Sequence, residues 1–289
     1  MELKNEGMAS NSSADGESAA CRSRNVANGV KTPDKTTCSM RFIPQLPPKS
    51  RLMNGRAKTG QAYEPTDVEH IANVVTHGLW IVPSLAGLVY MQLLSDNTRE
   101  VLIAGIYGLA VLTLFTVSTV FHTISYIGRF RQLKNFFHIG DRAVIYLFIA
   151  ASYTPWLTLR DLEHWGYHCL WIVWVMAVIG IWYQYTYHEQ YKWLETLFYF
   201  IIGVCPAISW FAMKETSGTF ELVTGGIVYI SGVVFFKCDG LVPFAHAIWH
   251  CFVFVGAIFH YIAVCRYLLG PESDQALVMV RAVKMPLKV

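Results

Sequence analysis

Two histidines, His246 and His250, stand four residues apart in FAHAIWHCFVFVGAIFHY (244–261), a stretch apolar enough to lie in a bilayer. On a helix that spacing places both imidazoles on one face. A ring nitrogen left without a partner in hydrocarbon is costly. Two arrangements remove the cost: an interhelical hydrogen bond, or a divalent metal ion. Neutral imidazole suits Zn²⁺. Two imidazoles on one face and a third from another helix make the three-nitrogen set of a catalytic-type zinc site, with the fourth tetrahedral position left for water. The candidate third ligand is His122, in STVFH (118–122). Asp141, in HIGDR (138–142), has the chemistry to hold water at the ion or to take its proton. Ser118 precedes His122 by one turn and can hydrogen-bond into the same group. Each residue also has a plainer reading. The H-x-x-x-H pair can be hydrogen-bonded without metal, and His122 can be interfacial. Asp141, beside Arg142, can be a helix N-terminal acid favoured by the dipole. Ser118 can bond its own helix backbone.

The elements that must carry these residues are transmembrane helices. Of 289 residues, 54% are apolar and only 15% charged, and mean hydropathy is +0.36. Such values fit a polytopic membrane protein better than a soluble domain. Seven apolar stretches approach the ~20 residues a spanning helix needs. They lie at about 72–94, 101–125, 140–158, 166–186, 193–212, 220–236 and 243–267. Alternation of direction sorts the candidate residues. The second stretch ends on the side where the third and seventh begin. His122, Asp141, His246 and His250 therefore fall at one depth, near one membrane boundary. Pro155 and Pro206 lie within the third and fifth stretches, where neighbouring helices can accommodate them.

Residues 1–66 read as a polar tail and linker, disordered over about the first forty residues. Residues 269–289 read as a short C-terminal tail. No apolar run precedes about residue 71, so the first span is expected to serve as the insertion signal. Basic residues in the short connections favour a cytoplasmic N-terminus, although the basic C-terminal end opposes this mildly. On that assignment the sequon Asn11-Ser12-Ser13 is not luminal. The charge of +3, with no basic run, gives no nucleic-acid surface. No phosphate-binding loop, nucleophile elbow or voltage-sensor ladder is present. Seven scattered cysteines, an odd number without a CxxC pair, exclude a complete disulfide framework. Cys205, Cys251 and Cys265 read as small core residues.

Other titratable groups are read as follows. Glu69 and His77 form an interfacial pair, with a supporting role at the site as the alternative. His138 lies outside the hydrocarbon, and His164, His168 and His188 are solvated at loop edges. His260 makes an interhelical hydrogen bond, and Asp239 is a turn acid.

The set STVFH, HIGDR and PFAHAIWH (243–250), with NVVTHG (73–78), resembles the progestin and adipoQ receptor family and its haemolysin III relatives. DRAVIYLFIAASYTPWL (141–157) and GVVFFKCDGLVPFAHAIWH (232–250) resemble the monocyte to macrophage differentiation factor branch. The resemblance covers roughly residues 50–268. It implies an all-α, seven-transmembrane bundle with a cytoplasmic N-terminus and Zn²⁺ held by His122, His246 and His250. Asp141 and Ser118 would stand beside the ion. It also implies endomembranes of the Golgi or the late endosome and lysosome, with the plasma membrane as the alternative. The ligand implied is a lipid or lipid-like molecule. Two functions are compatible. One is a receptor-like signalling protein in which zinc clamps helices. The other is a zinc-dependent lipid amide hydrolase of the ceramidase type. There zinc would activate water and polarise the carbonyl, and Asp141 would act as general base and then acid.

Overall fold

The computed structural model describes residues 52–162 and 165–270, all within the unit Leu46–Val289. The expectations for the polar front segment to residue 51, for His164 and for the C-terminal tail beyond residue 270 lie outside the described residues. Among the described residues every regular element is helical. They are α1 (Asp67–Gly78), α2 (Ile81–Leu94), α3 (Thr98–Ile127), α4 (Arg131–Leu159), α5 (Trp165–Tyr187), α6 (Lys192–Val204), α7 (Thr219–Phe236) and α8 (Ala245–Tyr267), with a 3₁₀ segment Cys205–Ala212 after α6.

Local sequence explains where the rods start, bend and stop. The Thr66 hydroxyl accepts from the Glu69 amide, and the Glu69 carboxylate accepts from the Thr66 amide at 2.9 Å. This reciprocal cap satisfies two amides that helix geometry leaves open. α1 and α2 form one rod broken at Leu79–Trp80. Pro83 has no N–H to give to the Leu79 carbonyl, and its ring crowds that oxygen. α3 starts at Asn97, whose side chain accepts from the Glu100 amide at 3.0 Å, and stops at Gly128 in the left-handed region (φ 71°). Pro206 ends α6 and passes the chain into the 3₁₀ segment.

The polarity is inverted relative to a soluble protein. Leu93, Phe211 and Phe220 are 79%, 82% and 75% exposed, whereas Asp141, His122 and His250 are buried. Water would expel such an apolar exterior; a bilayer accommodates it and pushes polar groups inward. Cys205 and Cys251 share this outward apolar face, which corrects their assignment to the core, while Cys265 is half-buried. An apolar run in a membrane helix has a lipid side as well as a protein side.

Among the described residues six rods are long and apolar enough to cross a membrane: Asp67–Leu94, Thr98–Ile127, Trp165–Tyr187, Lys192–Ala212, Thr219–Phe236 and Ala245–Tyr267. The sequence suggested seven. The difference is α4, whose 29 residues span about 43 Å at ~1.5 Å per residue. From residue 138 to 160 no side chain of this rod is exposed. Val144 and Phe148 pack into a core shared with α2, α3 and α8, and Tyr146, Ala150 and Leu157 into a second core with α5 and α6. A rod wrapped by other rods has no need of a lipid-like composition and tolerates Asp141, Arg142, Ser152 and Thr154. α4 also begins at Arg131, nine residues before the apolar stretch.

The rods pack in sequence from α1 to α6, and α8 closes against both α7 and α1. The α7–α8 crossing is tight because small residues face large ones. A Cβ at Gly256 would lie 2.7 Å from the Tyr229 ring, and one at Gly225 would lie 2.3 Å from the His260 ring. This fits membrane helix association, where close backbone approach supplies the packing.

Candidate metal centre

Three helices converge near the end of the bundle where α1 and α4 begin. α3 carries Ser118 and His122 one turn apart near its C-terminal end. α8 carries His246 and His250 in its first two turns. Asp141 lies in the third turn of α4, too far from Arg131 to be the N-terminal acid that the sequence left open.

Donor nitrogens of His122, His246 and His250, one from each residue, lie within 4.8 Å of one another. The three rings meet edge to face, with centroids 4.6 to 5.2 Å apart. Ser118 is buried and its hydroxyl is a near neighbour of the buried Asp141 carboxylate. All five predicted residues are therefore neighbours, drawn from α3, α4 and α8.

The surroundings prepare the ring nitrogens unequally. The His250 Nδ1 lies 3.0 Å from the Thr76 Oγ1, whose own proton goes to the Ala72 carbonyl at 2.8 Å. With that proton on the Ala72 carbonyl, the Thr76 oxygen accepts from Nδ1–H, the tautomer that leaves Nε2 a lone pair. His246 Nδ1 faces the Asp239 carboxylate at 3.6 Å. Asp239 is thus more than a turn acid, because the short connection ahead of α8 turns it toward His246. Both nitrogens of His122 are buried without a hydrogen-bond partner among the described residues.

That last observation tests whether the residues suit a metal. An imidazole sealed in hydrocarbon with two empty nitrogens is unfavourable. Beside two further imidazoles it is what a tetrahedral nitrogen site needs. The residues fit zinc.

α1 supplies a layer that the sequence reading placed elsewhere. His77 is not part of an interfacial pair with Glu69, which caps α1 and accepts from the Tyr63 phenol at 2.9 Å. His77 is buried and stacks on His250 with ring centroids 3.6 Å apart, its other face against the edge of Phe115. Asn73, also buried, has its backbone carbonyl 3.2 Å from the Thr76 Oγ1. A signal for this layer was present: His70, Asn73 and His77 recur at helical spacing in an otherwise apolar stretch. The Tyr63 phenol, ahead of the first rod, is held above its usual range by burial and then by its bond to Glu69.

A cavity of about 60 Å³ reaches His122, Asp141 and His246 from the side of Tyr63, Lys134 and His138. It has room for a few waters, and its walls are polar enough to hold them.

The remaining histidines divide. His168 is exposed, as expected. His188 is not solvated: it is half-buried and contacts His138 and Gln184. His260 is half-buried, with both ring nitrogens buried and neither hydrogen-bonded among the described residues, against the interhelical bond expected of it. It packs instead on the Tyr229 ring.

Residues 68–261 match the profile of the family described as Haemolysin-III related. The chain is 47% identical over 225 residues to the human "Monocyte to macrophage differentiation factor", covering 78% of this chain and 94% of that relative. It is 33% identical over 211 residues to "Hemolysin-3" of Bacillus cereus, covering 71% and 94%. It is 31% identical over 205 residues to the "Hemolysin-3 homolog" of Bacillus subtilis (strain 168), covering 69% and 94%. With its helical bundle and inverted polarity, the chain belongs to the haemolysin-III related family of multi-pass membrane proteins.

Proposed function

We propose that the chain is a receptor-like signalling protein of the monocyte to macrophage differentiation factor type, with zinc held inside the membrane by His122, His246 and His250. The observation that carries this reading is the pair of partnerless nitrogens on buried His122, set against two imidazoles from another rod. A lipid or lipid-like molecule is the ligand class. The N-terminus faces the cytoplasm, as the basic residues of the short connections favour, and the membrane is that of the Golgi or the late endosome and lysosome.

Zinc so held supplies a Lewis acid and lowers the pKa of water at an open position. The chain's own residues do the rest. Thr76 fixes the His250 tautomer, and Asp239 orients His246. The triad ties α3 to α8, so a ligand that moves one rod against the other changes the triad's geometry.

A second reading, lipid amide hydrolysis, has its own support. The cavity gives water a route to Asp141, and the Ser118 hydroxyl orients that carboxylate to take and return a proton. Detergent-purified protein assayed on ceramide separates the two. The receptor reading expects no fatty acid release. Release that Asp141→Asn abolishes while zinc is retained would establish the hydrolase.

A further inference from the structure

Outside the triad, a second group of donors gathers around His138, which also lines the cavity. His138 comes from α4, and His188 and Glu189 from the turn after α5. One donor atom from each lies within 4.8 Å of the others. Their contacts are local and specific. His188 Nε2 lies 2.9 Å from His138 Nδ1, the rings at 90°. His138 Nε2 lies 3.4 Å from a Glu189 carboxylate oxygen.

Three features set this group apart from a chance meeting of polar side chains. Glu189 adopts φ 62°, a left-handed conformation uncommon for a residue with a side chain. That twist lets two adjacent residues, 188 and 189, aim at one point. His188 is held from behind by Gln184, which is 1% exposed and lies 2.9 Å from His188 Nδ1. The Gln184 Oε1 is buried without a hydrogen-bond partner among the described residues. Turning that amide over places Oε1 on an Nδ1–H of His188, satisfies the stranded oxygen and frees the Nε2 lone pair. Outer-shell bonds of this kind orient histidine ligands in metal sites.

We propose that His138, His188 and Glu189 form a second site for a zinc-class divalent cation, separate from the intramembrane triad. Two imidazoles and one carboxylate form a borderline donor set suited to Zn²⁺ or Co²⁺ rather than Mg²⁺ or Ca²⁺. The charge around Glu189 sets the terms of binding. Arg142 lies 3.4 Å from it but is committed more closely to Glu195 at 2.8 Å. Lys192 lies 2.7 Å from the other carboxylate oxygen and also donates to the Gln61 carbonyl at 2.6 Å. The Lys192 ammonium, one third exposed, can withdraw to water. The cation therefore competes with Lys192 for Glu189. Occupancy would release Lys192 from both Glu189 and Gln61, loosening the segment ahead of α1. It would also reach the triad, because His138 stacks on Phe121, next to His122, with ring centroids 4.7 Å apart.

The test titrates the metal-stripped, detergent-purified full chain with Co²⁺, following its visible absorption and the bound metal per chain. The expected wild-type result is two equivalents. His188→Ala and Glu189→Gln each lose one, whereas His250→Ala loses the other. Lys192→Met tightens the equivalent that His188→Ala removes, by about tenfold, since a competing charge is gone. Misfolding does not produce tighter binding, so this variant guards against a false negative from the alanine change. One equivalent, lost in His188→Ala but kept in His250→Ala, would support this site and sink the triad. One equivalent lost only in His250→Ala, with Lys192→Met unchanged, would overturn the second site.

Discussion

At the scale of single residues, a nitrogen's ability to bind metal is decided by what holds the opposite side of its ring. Thr76 does this for His250. Thr76→Val removes the oxygen that accepts from Nδ1 while keeping the volume. Zinc affinity is expected to fall about 10- to 100-fold, with stoichiometry unchanged at saturating metal. A competition titration against a chromophoric chelator reads this, and unchanged affinity would remove Thr76 from the account. The five residues of the site were legible in the sequence because each is a polar group where hydrocarbon makes polar groups costly. Thr76 was not singled out, and His77 was read first as interfacial with a supporting role only as the alternative, because α1 begins beside Glu69 and Tyr63 and looks like an interface. The His138–His188 contact was hidden for a different reason. It joins residues fifty positions apart, and a histidine beside glutamate in a tyrosine-rich loop looks solvated.

At the scale of elements, two junctions make separate expectations. The α7–α8 crossing depends on Gly256 meeting Tyr229. Gly256→Ala puts a methyl group 2.7 Å from that ring, and the two rods must part. A loss of about 1–3 kcal/mol is expected, read as a lower thermal midpoint in detergent. A wild-type midpoint would mean that the crossing is looser than described. At the opposite end, Arg160 at the close of α4 pairs with Glu215 in the connection ahead of α7 and donates to Ser217. Burial raises the Glu215 pKa, but the Ser217 hydroxyl and the Arg160 guanidinium outweigh it and hold the carboxyl below 4.5. A carboxyl depressed by folding stabilises fully above its unfolded value and loses that contribution as pH falls through the folded value. Thermal midpoints should therefore drop below about pH 4.5 in the wild type. Glu215→Gln should lower the midpoint at neutral pH and flatten the acid drop, and an identical acid profile in both proteins would rule the pair out. Helix positions were legible from apolar length. The nine extra residues of α4 were not, since RQLKNFFHI (131–139) is too polar to read as part of a span.

At the scale of the whole molecule, polar residues face inward and apolar ones outward, and α4 is sheathed by the other rods. A composition count therefore yields six spans where the described residues form seven rods. The proposed orientation rests on the basic residues of the short connections. With the N-terminus in the cytoplasm, Asn11 carries no glycan, and an endoglycosidase-sensitive mass shift in cells would invert the assignment. The central claim is that imidazoles from α3 and α8 share one zinc ion. It is tested most directly by elemental analysis of purified protein carrying His188→Ala, which leaves the triad as the one intact donor group among the described residues. One zinc per chain is expected there, and none when His250→Ala is added. Equal zinc in both proteins, or none in the first, would contradict the account.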